Sequence, residues 1–193
     1  GLLSPGSYDH AVGTIELIET HISWVILTGE FAYKIKKPVN LGFLDFSTLA
    51  KRRFYCEEEV RLNRRLAPDT YIGVVSVTGS PEAPRWGSGE PIEYGVKMRQ
   101  FPPSAQLDQM LARGELEGRH LDAFAALIAD FHRRVSVAGT DQHYGDPEAV
   151  LNPAMENFPD LRRCLTDPKL SGRVGALEQW TNTAFSRLVD EFG

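Results

Sequence analysis

A lysine-bearing strand holds the residues of this chain whose types and spacing could do chemistry. Side chains alternate along a strand, so the segment FAYKIKK at 31–37 is predicted to place Ala32, Lys34 and Lys36 on one face. A small residue two positions before a lysine suits a nucleotide cleft, because it leaves room for a base while the ammonium group reaches the phosphates. The pattern therefore predicts a phosphate-binding lysine, Lys34, with Lys36 as the alternative on the same face.

An acidic helix at 56–63 (CEEEVRLN) offers that lysine a partner. At about 100° per residue, Glu59 falls about 40° from Tyr55 and inside the apolar stripe, whereas Glu58 lies on the edge of the stripe. A carboxylate inside an apolar stripe needs a partner, and Lys34 is the candidate. Two interpretations stay open: a kinase-like Lys–Glu pair, and a solvated edge strand whose lysines face water.

The elements that must position these residues form a β-β-β-α-β-β series. Strands are predicted at 14–19, 23–27, 31–39, 71–78 and 91–98. A long helix is predicted over 48–66, with Ser47 as its N-cap and Pro68 as its stop. The Pro-, Gly- and Ser-rich stretch 79–89 is predicted to be a solvent loop.

Beyond residue 100 the patterns become helical. The sequence FPP at 101–103 breaks the strand pattern and is predicted to be a linker. Helices are predicted at 104–113, 116–135 and 174–192, and an irregular stretch at 136–168. The change in composition near residue 100 is the candidate lobe boundary of an α+β protein.

Composition narrows the class of protein further. The 193 residues carry a net charge of -5, with 42% hydrophobic and 24% charged residues, which is the mix of a globular protein in water. The chain is not broadly basic, which disfavours nucleic-acid binding, and no apolar run approaches the roughly 20 residues of a membrane span. Cys56 and Cys164 are too few for a disulfide framework or a zinc site. They favour a reducing compartment and predict a cytoplasmic location.

Longer stretches of the chain resemble a known bacterial family. The stretches are ETHISWVILTG, FAYKIKKPVNLGFLDFSTL, EEEVRLNRRLAPDTYIGVV and EYGVKMRQF. They are similar to the amino-terminal part of the aminoglycoside-phosphotransferase-like family, in the branch named bifunctional aminoglycoside phosphotransferase/ATP-binding protein. The resemblance implies a protein-kinase-like fold with a five-stranded antiparallel N-lobe and one helix at 1–97. A hinge at 98–103 and a partial helical C-lobe at 104–193 would follow.

The same resemblance implies roles for individual residues. Lys34 resembles the lysine that binds the phosphates of ATP, and Glu59 resembles its helix partner. Ser23 lies at the turn between the first two strands, where the family covers the phosphates, and is implied to donate a hydrogen bond. Met98 and Phe101 bound the implied hinge, whose backbone would meet the adenine. Core packing is the alternative role for their side chains.

The family's catalytic loop, H-G-D-x-x-x-x-N followed by an acidic metal-binding segment, is not found in good form. The nearest match is HYGD at 143–146 with Asn152. It has an extra residue before the glycine and an Asp-to-Asn interval one residue too long, so a surface turn ahead of a short helix is predicted there. No catalytic residue and no metal ligand is assigned in this chain. The catalytic Asp and Asn and the Mg²⁺ ligands are expected beyond Gly193, which makes the chain an amino-terminal fragment.

Two functions follow from the resemblance. In the first, the chain is the ATP-binding portion of a small-molecule kinase that transfers the γ-phosphate of ATP to a hydroxyl of an unidentified acceptor. The fragment alone would be inactive. In the second, it is a non-catalytic nucleotide-sensing or interaction domain that regulates a covalently linked P-loop ATP-binding domain. A third interpretation is an α+β scaffold in which the pair of Lys34 and Glu59 is structural.

Overall fold

The computed structural model of the chain is an α+β structure and describes residues 1–137, 139 and 145–192. The chain divides into two compact units, Gly1–Arg134 and Val135–Gly193. The predicted hinge at 98–103 lies inside the first unit. The division into an N-lobe at 1–97 and a partial C-lobe at 104–193 stays a prediction.

An antiparallel sheet of six strands forms the centre of the first unit. In chain order, strands β1 to β6 span Glu16–Glu19, Ser23–Leu27, Phe31–Lys36, Tyr71–Gly79, Pro84–Trp86 and Glu93–Arg99. Their order across the sheet is β1-β2-β3-β6-β4-β5. The prediction of five strands is wrong, because β5 forms within the segment 79–89 that was expected to be a solvent loop. Burial explains the extra strand, since the Trp86 ring stacks on Tyr33 with 4.6 Å between ring centroids.

Helix α1, Leu49–Asn63, packs against β4 and β6. Its N-cap is Thr48, whose Oγ1 accepts a hydrogen bond from Lys51 N at 3.2 Å. The predicted N-cap, Ser47, instead bonds to the Asp45 carboxylate through both its backbone N–H and its hydroxyl. This local turn engages Ser47 and moves the helix start one residue along the chain.

The two faces of the sheet carry different clusters. Ala32, Lys34 and Lys36 share one face with their cross-strand partners, in agreement with the alternation of the sequence. Helix α1 covers part of this face through Cys56 and Val60. The opposite face carries an apolar cluster of Ile26, Tyr33, Ile35, Val77 and Trp86.

Further helices follow the sheet. The first unit continues with α2, Leu107–Ala112, and α3, Gly118–Arg134. The described residues of the second unit form α4, α5 and α6, at Pro147–Met155, Asn157–Cys164 and Pro168–Leu188. None of the helices in the described part of the chain combines the length and the apolar character needed to cross a lipid bilayer.

The prediction of an irregular stretch at 136–168 is wrong for the residues of α5, whereas α4 lies where a short helix was predicted to follow the turn at 143–146. Pro147 and Pro168 each lie in the first turn of a helix, where a fixed φ suits the helix and the missing N–H has no intrahelical partner to lose. Both prolines therefore begin helices, and α6 starts six residues before its predicted start at 174. His143 and Tyr144 of the rejected HYGD match lie outside the described residues.

Gly95 allows Trp86 to lie close to the sheet. A Cβ atom at Gly95 would lie 2.7 Å from Trp86 Cη2 and 3.2 Å from Lys34 O. Gly95→Ala is therefore expected to lower the free energy of unfolding by about 1–3 kcal/mol, because the Trp86 ring must shift from its stack on Tyr33. Denaturant titration followed by tryptophan fluorescence measures this loss. Gly118→Ala is the matched control, since its Cβ would meet no atom within 4 Å. An equal loss in both variants would contradict the prediction.

Candidate functional site

The Glu59 carboxylate lies between two lysines of β3. Lys34 Nζ donates a hydrogen bond to Glu59 Oε1 at 2.9 Å, and Lys36 Nζ donates to Glu59 Oε2 at 2.6 Å. The predicted pairing of Lys34 with Glu59 is present. The alternative lysine pairs with the same carboxylate, because both lysines face α1 from one side of the strand.

Burial separates the two lysines. The Lys34 side chain is 30% exposed, whereas the side chains of Lys36 and Glu59 are 6% and 11% exposed. Lys36 Nζ also lies 4.9 Å from the centroid of the Phe46 ring, which gives this ammonium group a cation–π contact. Lys34 is therefore the lysine that a ligand can reach, and Lys36 is held within the protein.

The charges of this cluster favour an anion. Burial opposes ionisation of Glu59, but the hydrogen bonds and charges of Lys36 and Lys34 outweigh it, so the pKa of the Glu59 carboxyl lies below its ordinary value of 4.5. Two ammonium groups against one carboxylate leave one positive charge.

Near this cluster, burial raises the pKa of the Cys56 thiol to about 11. The thiol is therefore protonated at neutral pH and is not a nucleophile here.

A cavity of about 350 Å³ opens beside Lys34. Lys34, Glu59 and Arg99 supply its charged groups, and Ala32 leaves room in its wall. The rest of its lining comes from Ile18, Thr20, Val25, Leu27, Tyr71, Met98, Gln100, Phe101, Pro103 and Gln106. A mainly apolar cavity with a few convergent polar groups is the usual form of a small-molecule site.

Four of the six predicted binding residues line this cavity, namely Lys34, Glu59, Met98 and Phe101. Lys36 and Ser23 are not in the lining. Ser23 is 1% exposed and pairs with Lys36 across β2 and β3, so its side chain lies on the buried part of the same face. Its Oγ has no hydrogen-bond partner among the residues that the structure describes.

The turn between β1 and β2 presents Thr20 to the cavity. Thr20 Oγ1 accepts hydrogen bonds from Ile22 N at 3.4 Å and Ser23 N at 2.9 Å, which closes the turn through a side chain. The sequence has no glycine-rich loop between β1 and β2, and the turn that Thr20 caps joins these two strands. A threonine at the start of a short polar turn between two strands often caps that turn with its hydroxyl, so Thr20 is a local signal that could have identified this cap.

The segment after β6 contains one backbone N–H without an acceptor in the described part of the chain. Arg99 N donates to Thr70 O at 2.8 Å, and Gln100 N donates to Glu30 O at 3.0 Å. The next N–H, that of Phe101, donates to no described acceptor, and Phe101 lies in the cavity lining.

Sequence reasoning missed Tyr71 and Gln106, which line the cavity, and named Gln100 only as part of the hinge at 98–103. Burial and then the charge of Glu59 raise the pKa of Tyr71, while Lys34 opposes them, so the phenol stays protonated at neutral pH. Tyr71 pairs in register with Met98, and only this pairing of β4 with β6 brings it to the cavity.

The described residues contain no group of three or more His, Cys, Asp or Glu side chains placed to hold a metal ion. The Mg²⁺ ligands expected by resemblance were assigned beyond Gly193, and that assignment stays a prediction.

Comparison with known proteins identifies relatives from mycobacteria. The chain is 36% identical over 179 residues to "Uncharacterized protein Rv2004c" of Mycobacterium tuberculosis and to "Uncharacterized protein Mb2027c" of Mycobacterium bovis. Each match covers 92% of this chain and 33% of the relative, so the chain spans about a third of the length of these curated relatives. No protein-family model matches the chain, and no solved structure does.

Proposed function

We propose that this chain is the ATP-binding portion of a phosphotransferase that transfers the γ-phosphate of ATP to a hydroxyl group of a small acceptor. The observation that carries the proposal is the ion pair of Lys34 and Glu59, 2.9 Å long, in the lining of a mainly apolar cavity. In kinases a strand lysine held by a helix glutamate binds the phosphates.

The cavity fits the parts of a nucleotide. Its volume of about 350 Å³ lies within the usual range of small-molecule sites. Ala32 and Met98 offer apolar surface to a base, and Phe101 N offers a hydrogen bond to its edge. Lys34 would bind the phosphates as a charge-assisted donor, and Glu59 would hold Lys34 in place. The family-like stretches of the sequence support the same assignment, including the protein-kinase-like fold.

The chemistry proposed for this chain is positional and electrostatic. Phosphoryl transfer depends on orientation and on neutralisation of the phosphate oxygens, and Lys34 supplies one positive charge for both. Mg²⁺ would supply further charge when bound. The catalytic Asp and Asn and the metal ligands are assigned outside this chain, so we expect phosphotransfer from the longer protein and not from these residues alone.

A second candidate function is a nucleotide-sensing domain that regulates a linked ATP-binding domain. The length of the relatives leaves room for such a domain, because about two thirds of each relative lies outside the match. The longer protein distinguishes the two functions. Transfer of the γ-phosphate to a hydroxylated acceptor supports the phosphotransferase, and ATP binding at this cavity without transfer supports the sensor.

Ala32→Leu tests the use of the cavity. Ala32 is 6% exposed and lies in the cavity wall, so a leucine there would fill the space assigned to the base. We expect calorimetric titration to show saturable ATP binding by the unsubstituted chain. The variant should bind ATP with an affinity at least about tenfold lower. Ala125→Leu, on the exposed surface of α3, is the control and should bind as the unsubstituted chain does.

Thermal unfolding of Ala32→Leu is measured beside binding, so that a loss of fold is recognised. Unchanged affinity in a folded Ala32→Leu variant would remove the cavity from the proposal. Absence of ATP binding by the unsubstituted chain at millimolar ATP would overturn the proposed function itself.

A further inference from the structure

A second cavity, of about 290 Å³, lies on the face of the sheet opposite to Lys34, and we call it the outer cavity. It is lined by Asp9, Tyr33, Val74, Val75, Ser76, Trp86, Gly87, Ser88 and Lys97. Tyr33 and Lys97 are partners in the register of β3 and β6, and alternation turns both away from the face of Lys34. We propose that the outer cavity binds a small aromatic carboxylate.

Lys97 supplies the anion-binding group. Its Nζ lies 4.1 Å from the centroid of the Phe31 ring and 5.5 Å from that of Tyr33. Among the ion pairs of the described residues, none includes Lys97, which distinguishes it from Lys34. Contacts with aromatic faces place an ammonium group without neutralising its charge. The hydrogen bond of His10 and then the charge of Lys97 lower the pKa of Asp9, but Lys97 and Asp9 form no direct ion pair, so Lys97 remains able to pair with a carboxylate.

Tyr33 supplies a second donor. The residue is 1% exposed, and its hydroxyl has no hydrogen-bond partner in the part of the chain that the structure describes. Burial first, and then the charge of Asp9, raises the pKa of Tyr33, so the hydroxyl keeps its proton. A buried hydroxyl without a partner costs free energy that an acceptor group on a ligand would recover after a small movement of the ring.

The aromatic wall selects a ring. The Tyr33 and Trp86 rings stack at an interplanar angle of 29°, and both line the outer cavity. Tyr33 is 1% and Trp86 9% exposed, so the stacked pair forms the buried floor of the cavity, and a planar ligand would contact the part of it that remains accessible. The volume of about 290 Å³ limits that ligand to a small molecule.

Asp9 selects the charge of the ligand. Its carboxylate accepts a hydrogen bond from His10 Nδ1 at 3.2 Å and lies in the same lining as Lys97. Asp9 repels every negative charge that a ligand brings, so a dianion meets more repulsion than a monoanion. The site therefore favours a monoanion such as a carboxylate over a phosphate monoester.

Benzoate is the probe that tests this site. In ¹H–¹⁵N NMR spectra of the 193-residue chain, we expect saturable shifts of the amides of Ser76, Gly87, Ser88 and Lys97. Lys97→Met keeps the apolar stem and removes the charge, and it should weaken benzoate binding by about tenfold or more. Lys169→Met, on the exposed surface of α6, is the control for net charge and should leave benzoate binding unchanged.

Two further probes define the chemistry. Benzylamine has the ring with the opposite charge, and inorganic phosphate has charge without a ring, so both should bind at least about tenfold more weakly than benzoate. Shifts that do not saturate, benzoate binding unaffected in a folded Lys97→Met variant, or equal binding of either further probe would overturn the proposal. ATP binding is measured separately, and its failure would leave this site untouched.

Discussion

Lys34→Met in the longer protein is expected to lower the rate of phosphotransfer by about two orders of magnitude or more. Lys34 is the partly exposed lysine of the cluster and lines the cavity, so its ammonium group is the charge that the phosphates would meet. In the 193-residue chain, the same substitution should weaken ATP binding by about tenfold. The fold should survive, because Lys36 continues to neutralise Glu59.

Steady-state rates at saturating ATP, together with calorimetric titration of the chain, measure both effects. Lys169→Met removes a lysine from the exposed surface of α6 and serves as the control for net charge, so it should change neither value. Unchanged turnover in a Lys34→Met variant that melts as the unsubstituted protein does would disprove the role of this lysine. Loss of the folded state in Lys34→Met would show instead that the pair is a structural element.

The strand half of the charged pair follows from a local pattern, since the two-residue repeat of β3 places Lys34 and Lys36 on one side. The helix half was predicted from an apolar stripe that the structure does not bury. The buried residues of α1 are Arg52, Cys56 and Val60, and Glu59 packs beside them, whereas Leu62 of the predicted stripe is 39% exposed. Glu59 binds both lysines. To predict this would have required the distance between the strand and the helix, which no local pattern supplies.

The parts that sequence reasoning missed depend on distant contacts. Strand β5 has three residues, and Trp86 is buried by Tyr33, which lies 53 positions earlier in the chain. Tyr71 reaches the cavity only through its register with Met98. Ser23 shows the opposite case, since its position in the turn suggested access to a ligand, whereas the pairing of β2 with β3 buries it.

Glu59→Gln is expected to lower the free energy of unfolding by about 3 kcal/mol at neutral pH. The substitution keeps the shape of the side chain but leaves the buried Lys36 ammonium group and the partly exposed Lys34 without a counter-charge. Glu58→Gln is the matched control one residue away. Its carboxylate pairs with Arg61 on the surface, so its loss should cost under about 1 kcal/mol. Equal losses in the two variants would contradict the central position of Glu59.

The dependence of stability on pH identifies the cause of that loss. The pKa of Glu59 is below 4.5 in the folded chain, so the ionised carboxylate contributes its full stabilisation above that value. The contribution disappears as the pH falls through the lowered pKa and Glu59 takes up a proton. Denaturant titrations from neutral pH down to about pH 3 should therefore show the stabilities of the unsubstituted chain and Glu59→Gln converging below pH 4.5. A difference that stays constant over this range would show that the amide disturbs packing, because a lost ion pair must follow the charge of the carboxylate.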